Sequence, residues 1–525
     1  MLEQNLDCLT DTADGARPLH AVRPAGLAAF LAGLPPAQSQ FVRQLGFAAA
    51  AQELLFLPGE AGVAGAVLGI GDDTAPHAFG NLAFRLPEAS VWQLQPGDYD
   101  AYKATLGFCL GASLPSLGLL TLAGMTPGKF DVAYHEIADL KKLPELPTDF
   151  DLVALSTFTA QLPEAYTVAD FYRARKIPVV MGGITVSALP AEAKEHCTSV
   201  VIGEGEPLWP EVLKDFDRGA LRPVYASSRA FDLADAPMPR FDLLDPDKYN
   251  RLTVQTSRGC PHRCEFCASS ILLTPRYKVK PVGKVIAEIR EIKKIWTRPF
   301  IEFADDNSFV HREHYRRLLR ALAKEKLRWF TEADIGVAGD AELLALMRDA
   351  GCQQVLIGLE SPRRTSLYGI ELKNNWKLRQ QDSYREAIAK IQSYGITVNG
   401  CFILGLDGDT RDVFDDVLHF VRESGLYEVQ VTFMTAFPGT PLYARLKREG
   451  RILRDRAWEL CTLFDINFRP KNLSVAELQS GFLKLVKQLY SAEETRERRL
   501  RFKRMLKTSP NFGRRVAREE QKLAA

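Results

Sequence analysis

Leu252-Thr-Val-Gln-Thr-Ser-Arg-Gly-Cys260-Pro-His-Arg-Cys264-Glu-Phe-Cys267 decides how this chain is read. Residues 252–255 predict a short buried strand, and Gly259 and Pro261 then break it into a loop. The loop sets three thiols within eight residues. Working outward, strand patterns recur at 300–303, 329–333, 354–359, 397–404 and 428–433, with helical patterns between them. Six such units predict a (β/α) barrel or partial barrel, and the thiols fall at the C-terminal end of its first strand, where barrel active sites lie. Thiolates suit soft ions and iron–sulfur clusters. On a four-iron cubane, three cysteines leave one iron open. A zinc site with His262 or a distant cysteine as fourth ligand is the alternative. Structural zinc usually joins two C-x2-C knuckles, and no second knuckle is present. Cys352, Cys401 and Cys461 stand singly in strand- or helix-like surroundings, as core thiols do.

The rest of the chain sets the frame. At 525 residues it holds three or four ordinary domains. It is 46% hydrophobic and 25% charged, which excludes disordered and fibrous classes. A net charge of +2 excludes strong global steering toward nucleic acid. The N-terminus lacks a basic segment followed by an apolar one, so no signal peptide is expected and the cytoplasm is the expected compartment. The uncharged stretch 104–128 contains prolines, glycines and hydroxyls, and is expected to form a buried loop and helix rather than a membrane span.

Five regions are expected. Residues 1–113 are rich in Ala, Gly and Leu, with strand-like runs at 53–57, 65–68 and 90–94. Residues 114–228 alternate apolar strands (151–156, 178–181, 199–202) with helices, the pattern of a parallel sheet. A Pro- and Asp-rich linker spans 229–250, the barrel 251–448, and a helical extension with a basic tail 449–525.

C-x3-C-x2-C, with Phe266 before the last cysteine, resembles the radical S-adenosylmethionine (SAM) enzymes. The resemblance implies a 4Fe–4S cluster on Cys260, Cys264 and Cys267. Its open iron would chelate SAM, and one electron would cleave SAM to a 5′-deoxyadenosyl radical. Phe266 and the ends of successive strands would contact SAM. These are Asp305 and Asp306 on the second, Glu360 and Ser361 with Arg363 or Arg364 beyond the fourth, and Ile403 and Gly405 on the fifth. Residues 437–443 match the last barrel segment of that family.

The region before the barrel resembles the cobalamin-binding domain of a large radical SAM subgroup. The matching pieces are Pro115-Ser-Leu-Gly118, 151–158, 179–183 and Gly203-Glu-Gly-Glu206. They imply Ser156, Thr157, Gly182, Gly183, Gly203 and Glu204 as cobalamin contacts. The D-x-H-x-x-G motif is absent. His135, after an expected strand at 131–134, is the nearby candidate cobalt ligand, with a plain loop histidine as the other reading. Such domains open with a central strand, whose place is taken here by 104–113. Pieces at 34–59, 65–71, 86–88 and 104–110 resemble the noncatalytic N-terminal domain of M17 leucyl aminopeptidases, which implies a gene fusion or misjoined reading frame near 105–115 and no peptidase activity. Residues 458–471 resemble a helical extension of cobalamin-dependent radical SAM proteins, including hopanoid methylase-like members. The basic helix after Glu497 either lies on an anionic membrane or packs one face on the barrel.

The expected fold is therefore α/β: a doubly wound cobalamin-binding-like parallel sheet, then a partial (β/α)6 radical SAM barrel, with an extra N-terminal α/β domain and a helical C-terminal extension. The expected activity is cobalamin-dependent methylation of an unactivated carbon. Radical rearrangement, cyclisation or oxidation, a noncatalytic cobalamin- or metal-binding regulator, and a nonfunctional fusion are the alternatives. The implied cofactors are the 4Fe–4S cluster, SAM and cobalamin. The implied partners are a small-molecule or lipid substrate and an electron donor such as flavodoxin or ferredoxin, with no nucleic acid.

Overall fold

The computed structural model describes residues 16–512, apart from 51–52, 60–61, 72–85, 87–91, 96, 98–115, 138–139, 228–229 and 273–275. The chain forms two compact units, residues 1–114 with 247–250, and residues 115–246 with 251–525.

The first unit is built on a four-stranded sheet in the order β2-β3-β1-β4, comprising β1 (Arg17–Val22), β2 (Leu54–Gly59), β3 (Gly62–Gly69) and β4 (Trp92–Leu94). β2 and β3 form an antiparallel pair, whereas β1 runs parallel to both β3 and β4. Alternation along the strands sends Leu19, Ala21, Ala66 and Leu68 to one face. Val22 and Val67 meet Leu31 and Val42 from the helices Leu27–Gly33 and Pro36–Gln44 on the other. β1 was not legible, because Pro18 and His20 interrupt its apolar pattern. Of the expected strand at 90–94, residues 90 and 91 lie outside the described residues, as does the expected junction at 105–115.

The second unit begins with the helix Leu117–Met125 and an all-parallel sheet of β5 (Val153–Ser156), β6 (Val179–Gly182), β7 (Ser199–Ile202) and β8 (Val224–Ala226), in that order. β8 gives no strand signal in the sequence, because only three residues follow Pro223 before the strand ends. The expected strand at 131–134 does not form. Residues 131–137 are irregular, with no neighbouring strand to supply a ladder among the described residues. Residues 104–113, expected in place of the opening strand, lie outside the described residues.

Residues 230–246 do not behave as a free linker. Phe231, Leu233, Ala236 and Phe241 are buried, and the Arg240 amide donates to the Leu120 carbonyl. The barrel follows, with β9 (Leu252–Val254), a small ribbon of β10 (Ser257–Arg258) and β11 (Lys278–Val279), then β12 (Phe300–Ser308), β13 (Arg328–Ala333), β14 (Cys352–Glu360), β15 (Thr397–Leu404) and β16 (Glu428–Phe433). Six parallel strands stand in the order β9-β12-β13-β14-β15-β16, which is the expected partial barrel. Val355, Ile357 and Leu359 of β14 are fully buried beneath the outer helices, so Leu356 and Gly358 face the lumen.

The C-terminal region departs from the all-helical expectation. Residues 451–474 are mainly irregular, and only Val475–Leu489 and Ala492–Thr508 are long helices. The irregular strap returns to the first sheet of this unit, where Trp458 and Cys461 join the core around Leu162, Tyr166 and Val186. The Trp458 indole donates to Glu192 at 2.8 Å, fixing it there. On the last helix Arg498 and Phe502 are buried, and Phe502 meets Tyr427 edge-on. That apolar side packs on the barrel, the second of the two readings of the basic tail. No helix among the described residues is long and apolar enough to cross a membrane.

Candidate functional site

The cysteine loop is held from three sides. Its Cys264 pairs with Glu371 in an isolated antiparallel bridge, and the amides of Glu265 and Leu372 donate to Ile370 and Arg263 at 2.8 Å each. The Glu265 carboxylate binds Arg445, which also reaches Asp407. Cys264 is buried, Cys260 and Cys267 are half-buried, and all three are free thiols. Burial pushes the Cys260 thiol up to about 11 and the Cys264 thiol higher still, and the nearby Cys267 adds to both. Thiolates at these positions therefore need positive charge, which a bound metal supplies by deprotonating its thiol ligands outright. Soft donors, close together on one loop and without a second knuckle, fit a cluster with one open iron.

Part of the required charge comes from Lys377, a residue with no legible signal in the sequence. Its ammonium donates to Glu360 at 2.5 Å and to the Gly358 carbonyl at 2.8 Å. Burial opposes its charge, but Glu360, Cys264 and Tyr384 outweigh burial and keep it protonated. Glu360 lies at φ +61, beyond a shift of register between Gly358 and Glu360. A non-glycine residue pays for that conformation, and such outliers gather at functional sites.

Asp305, Asp306 and Asn307 part company. The Asp305 carboxylate is wholly committed to the base of the cysteine loop. One oxygen accepts the Thr256 and Ser257 amides at 2.7 and 2.8 Å. The other accepts the hydroxyls of Thr256, Ser308 and Tyr315. Asp306 caps the same loop from its other side, accepting the Gly259 amide at 2.6 Å and the Ser269 hydroxyl. Asn307 donates to the Cys260 sulfur at 3.6 Å and to Asp334 at 2.9 Å. His262 stands between Asp334 and Glu371, and tilts against Trp376.

The remaining expected SAM residues are placed as follows. Ser361 is buried, its hydroxyl accepting the Arg363 amide, and Arg363 pairs with Asp416 at 3.2 Å. Phe266 and Ile403 are brought together against one apolar cluster with Leu406, Met434 and Phe468. Gly405 lies at φ +95, and a Cβ there would come within 3.0 Å of Phe468. Its amide and that of Leu406 donate to Asp409, a buried carboxyl pushed up to about 6 by burial.

A cavity of about 280 Å³ opens beyond the C-terminal ends of β5–β7. Gly118 and Leu122, Ser156, Gly182, Gly183, and 203–206 line one side. Gln255, Arg258, Ser269, Ala304 and Asp306 of the barrel line the other. Ser187 ties the two glycine loops together, donating to the Gly183 carbonyl and accepting the Gly203 amide at 2.8 Å each. Gly183 and Gly203 lie at φ +98 and +88. A Cβ on Gly203 would meet nothing within 4 Å, so open space stands over that loop. Glycine backbone below an open chamber at a parallel sheet's carboxyl edge fits a large planar cofactor. Of the other expected contacts, Thr157 turns its hydroxyl to the Phe158 carbonyl. Glu204 is pinned by barrel residues, accepting from Lys278 at 2.8 Å and Arg258 at 2.7 Å, while the Phe231 amide donates to it as well. Burial opposes the Glu204 charge, yet these donors outweigh it and hold the carboxyl below its ordinary range. Arg258 also grips Glu206 at 2.6 Å. Among the described residues no histidine lines the cavity, and His135 instead meets Phe150 edge-on, as a loop histidine.

The profile of the Radical SAM superfamily matches residues 254–421, and that of the B12 binding domain matches residues 104–213. This chain carries a B12-binding domain followed by a radical SAM domain. The M17 aminopeptidase N-terminal domain matches residues 17–114 of the same enzyme, and a domain of unknown function (DUF4070) residues 440–525. The enzyme is 26% identical over 395 residues to bacteriochlorophyllide d C-12(1)-methyltransferase of Chlorobaculum tepidum, covering 74% of this chain and 85% of that one. It is 28% identical over 359 residues to hopanoid C-2 methylase of Rhodopseudomonas palustris, covering 66% of this chain and 67% of that one. Its fold resembles that of the radical SAM methyltransferase TsrM from Kitasatospora setae, solved with cobalamin and a 4Fe–4S cluster. The TM-score is 0.57 at 16% identity, over 72% of this chain and 86% of that one. The radical SAM enzyme's cofactors are accordingly the 4Fe–4S cluster, SAM and cobalamin.

Proposed function

We propose that this enzyme methylates an unactivated carbon of a small-molecule or lipid substrate. The observation that carries the reading is the shared cavity, in which glycine loops of the first sheet and barrel residues beside the cysteine loop wall one chamber. When bound, the cluster and SAM supply a 5′-deoxyadenosyl radical for hydrogen abstraction, and cobalamin supplies a transferable methyl group. Cys260, Cys264 and Cys267 hold the cluster. Lys377 supplies fixed positive charge beside it, and Asn307 orients Cys260. Glu360, Ser361, Arg363, Ile403, Gly405 and Phe266 shape the SAM side, while Asp305 and Asp306 brace the loop that presents it. Gly182, Gly183, Gly203, Ser156 and Thr157 let a corrin lie close to the backbone, and Glu204 clamps that floor to the barrel through Arg258 and Lys278. The walls exclude water from the reacting groups, as radical chemistry requires.

The expected regions (1–113, 114–228, 229–250, 251–448, 449–525) are retained as this proposal's domain boundaries, and a cytoplasmic setting with a flavodoxin- or ferredoxin-type donor belongs to it. Anaerobic reconstitution with iron, sulfide and cobalamin tests the reading. Iron, corrin and SAM-derived 5′-deoxyadenosine are quantified after adding dithionite. All three are expected. Cluster and cleavage without corrin would refute methyl transfer and leave a rearrangement or oxidation enzyme. Zinc without cleavage would refute the radical assignment.

A further inference from the structure

The outer side of the cysteine loop carries a surface that the chemistry above does not use. Tyr368 is 75% and Leu372 45% exposed, two of the few large apolar side chains left in solvent. Leu372 is tied by its amide to the Arg263 carbonyl at 2.8 Å, directly beside the bridge that holds Cys264. Lys373 follows Leu372 in the chain, and Arg379 donates to the Asn374 carbonyl, which keeps it at the same edge. Arg263, Lys373 and Arg379 are exposed, and among the described residues none of them has a carboxylate partner. Neighbouring acids are engaged elsewhere: Glu371 is buried against His262 and Glu265 binds Arg445. Asp382 pairs with Arg364. The result is two exposed apolar side chains and three cations without carboxylate partners on neighbouring segments, with Arg263 next in sequence to Cys264. The corrin-side cavity lies on the other side of the same loop, beside Arg258 and Ser269.

The geometry points to this face as the docking surface of an acidic one-electron carrier protein, which delivers its electron through the Arg263–Leu372 edge to the cluster on Cys264. The inference rests on the radical SAM reading above. One electron leaves the reduced carrier, which is thereby oxidised by one electron, and the cluster is reduced by that same electron. Charge complementarity selects the carrier's acidic rim, and Tyr368 and Leu372 supply the apolar centre that a transient interface needs. Electrostatic steering acts on the association rate and weakens as salt rises.

The test compares two reductants on reconstituted full-length enzyme by anaerobic stopped flow. One is reduced flavodoxin, an acidic protein carrier. The other is dithionite, which needs no docking surface. The variants are R263E/K373E, and K373E/R379E, which leaves the cysteine loop untouched. Both should slow cluster reduction by flavodoxin at least about 10-fold at low salt. Iron content and the dithionite rate should stay at wild-type values, and the gap should narrow as salt is added. An unchanged flavodoxin rate in both variants would overturn the inference, as would an equal loss with dithionite. A change of oligomeric mass with the flavodoxin rate preserved would assign the face to a second copy of the chain and overturn it too. Wild-type enzyme that yields no 5′-deoxyadenosine with dithionite would instead refute the radical SAM reading itself.

Discussion

Asp305 offers the sharpest test of how the cysteine loop is built, because two substitutions there should behave oppositely. Its carboxylate is buried and takes five donors, two backbone amides on one oxygen and three hydroxyls on the other. In Asp305→Asn the amide oxygen can keep the Thr256 and Ser257 amides. The new NH2 then faces the hydroxyls of Thr256, Ser308 and Tyr315, and hydroxyls can rotate to accept. The loss should be about 1–2 kcal/mol, the difference between charged and neutral hydrogen bonds. Burial also raises the Asp305 pKa, so the neutral amide escapes a desolvation cost that the carboxylate bears. In Asp305→Ala two buried backbone donors lose their acceptor. At about 1–3 kcal/mol each, the cost is about 2–6 kcal/mol before any cavity term. These donors sit at the start of the loop, so the damage should appear as lost cluster. Thermal melting of the apo-protein and iron per chain after reconstitution are the assays. Asn should melt within a few degrees of wild type and load iron, whereas Ala should melt clearly lower and load poorly. An alanine variant equal to wild type, or an asparagine variant worse than alanine, would refute the bracing role. An asparagine variant that folds and loads iron but no longer binds SAM would assign Asp305 to SAM instead.

Other perturbations follow from the same geometry. Arg258→Met leaves Glu206 buried without its guanidinium, at a cost of about 3–5 kcal/mol. Corrin retained after gel filtration should fall with it, and full retention would refute the clamp. Lys377→Met strands Glu360, so iron loading should drop, and Lys377→Met/Glu360→Gln should recover stability that the single variant lost; absence of recovery in melting curves would refute the coupling. Glu332 of β13 is exposed to solvent, yet crowding by the surrounding protein and the carboxylates Glu302, Asp306, Asp305 and Glu360 push it up to about 8. The native state then holds a proton that the unfolded chain has released, so this contribution is complete below pH 4.5 and is lost as pH rises through 8. Glu332→Gln should flatten the fall of melting temperature between pH 6 and 9, and an unchanged slope would refute it.

Much of the barrel was legible because parallel strands covered by helices read as short apolar runs, and the six expected strands match β9 and β12–β16 closely. β1 and β8 were not, the first because a proline and a histidine break its run, the second because it has only three residues. The strand at 131–134 failed for the opposite reason. Its pattern was adequate, but a strand needs a neighbour, and among the described residues none stands beside it. The strap at 451–474 carries a helical pattern in the sequence but folds irregularly. Trp458 and Glu192 are 266 positions apart, and no local pattern announces such a contact.

The sequence by itself determined the chemistry: three thiols at fixed spacing, the strand that precedes them, and the glycine turns of the neighbouring sheet are all local features, set by spacing and backbone freedom. Only the tertiary structure decided which side chains serve that chemistry. It turned Asp305 inward to brace a loop and drew Lys377 to Glu360 beside Cys264. It spent Glu204 on Arg258 and Lys278. A buried charge must find an opposite charge or a set of donors, and the partners that satisfy it come from strands and helices far apart in the chain.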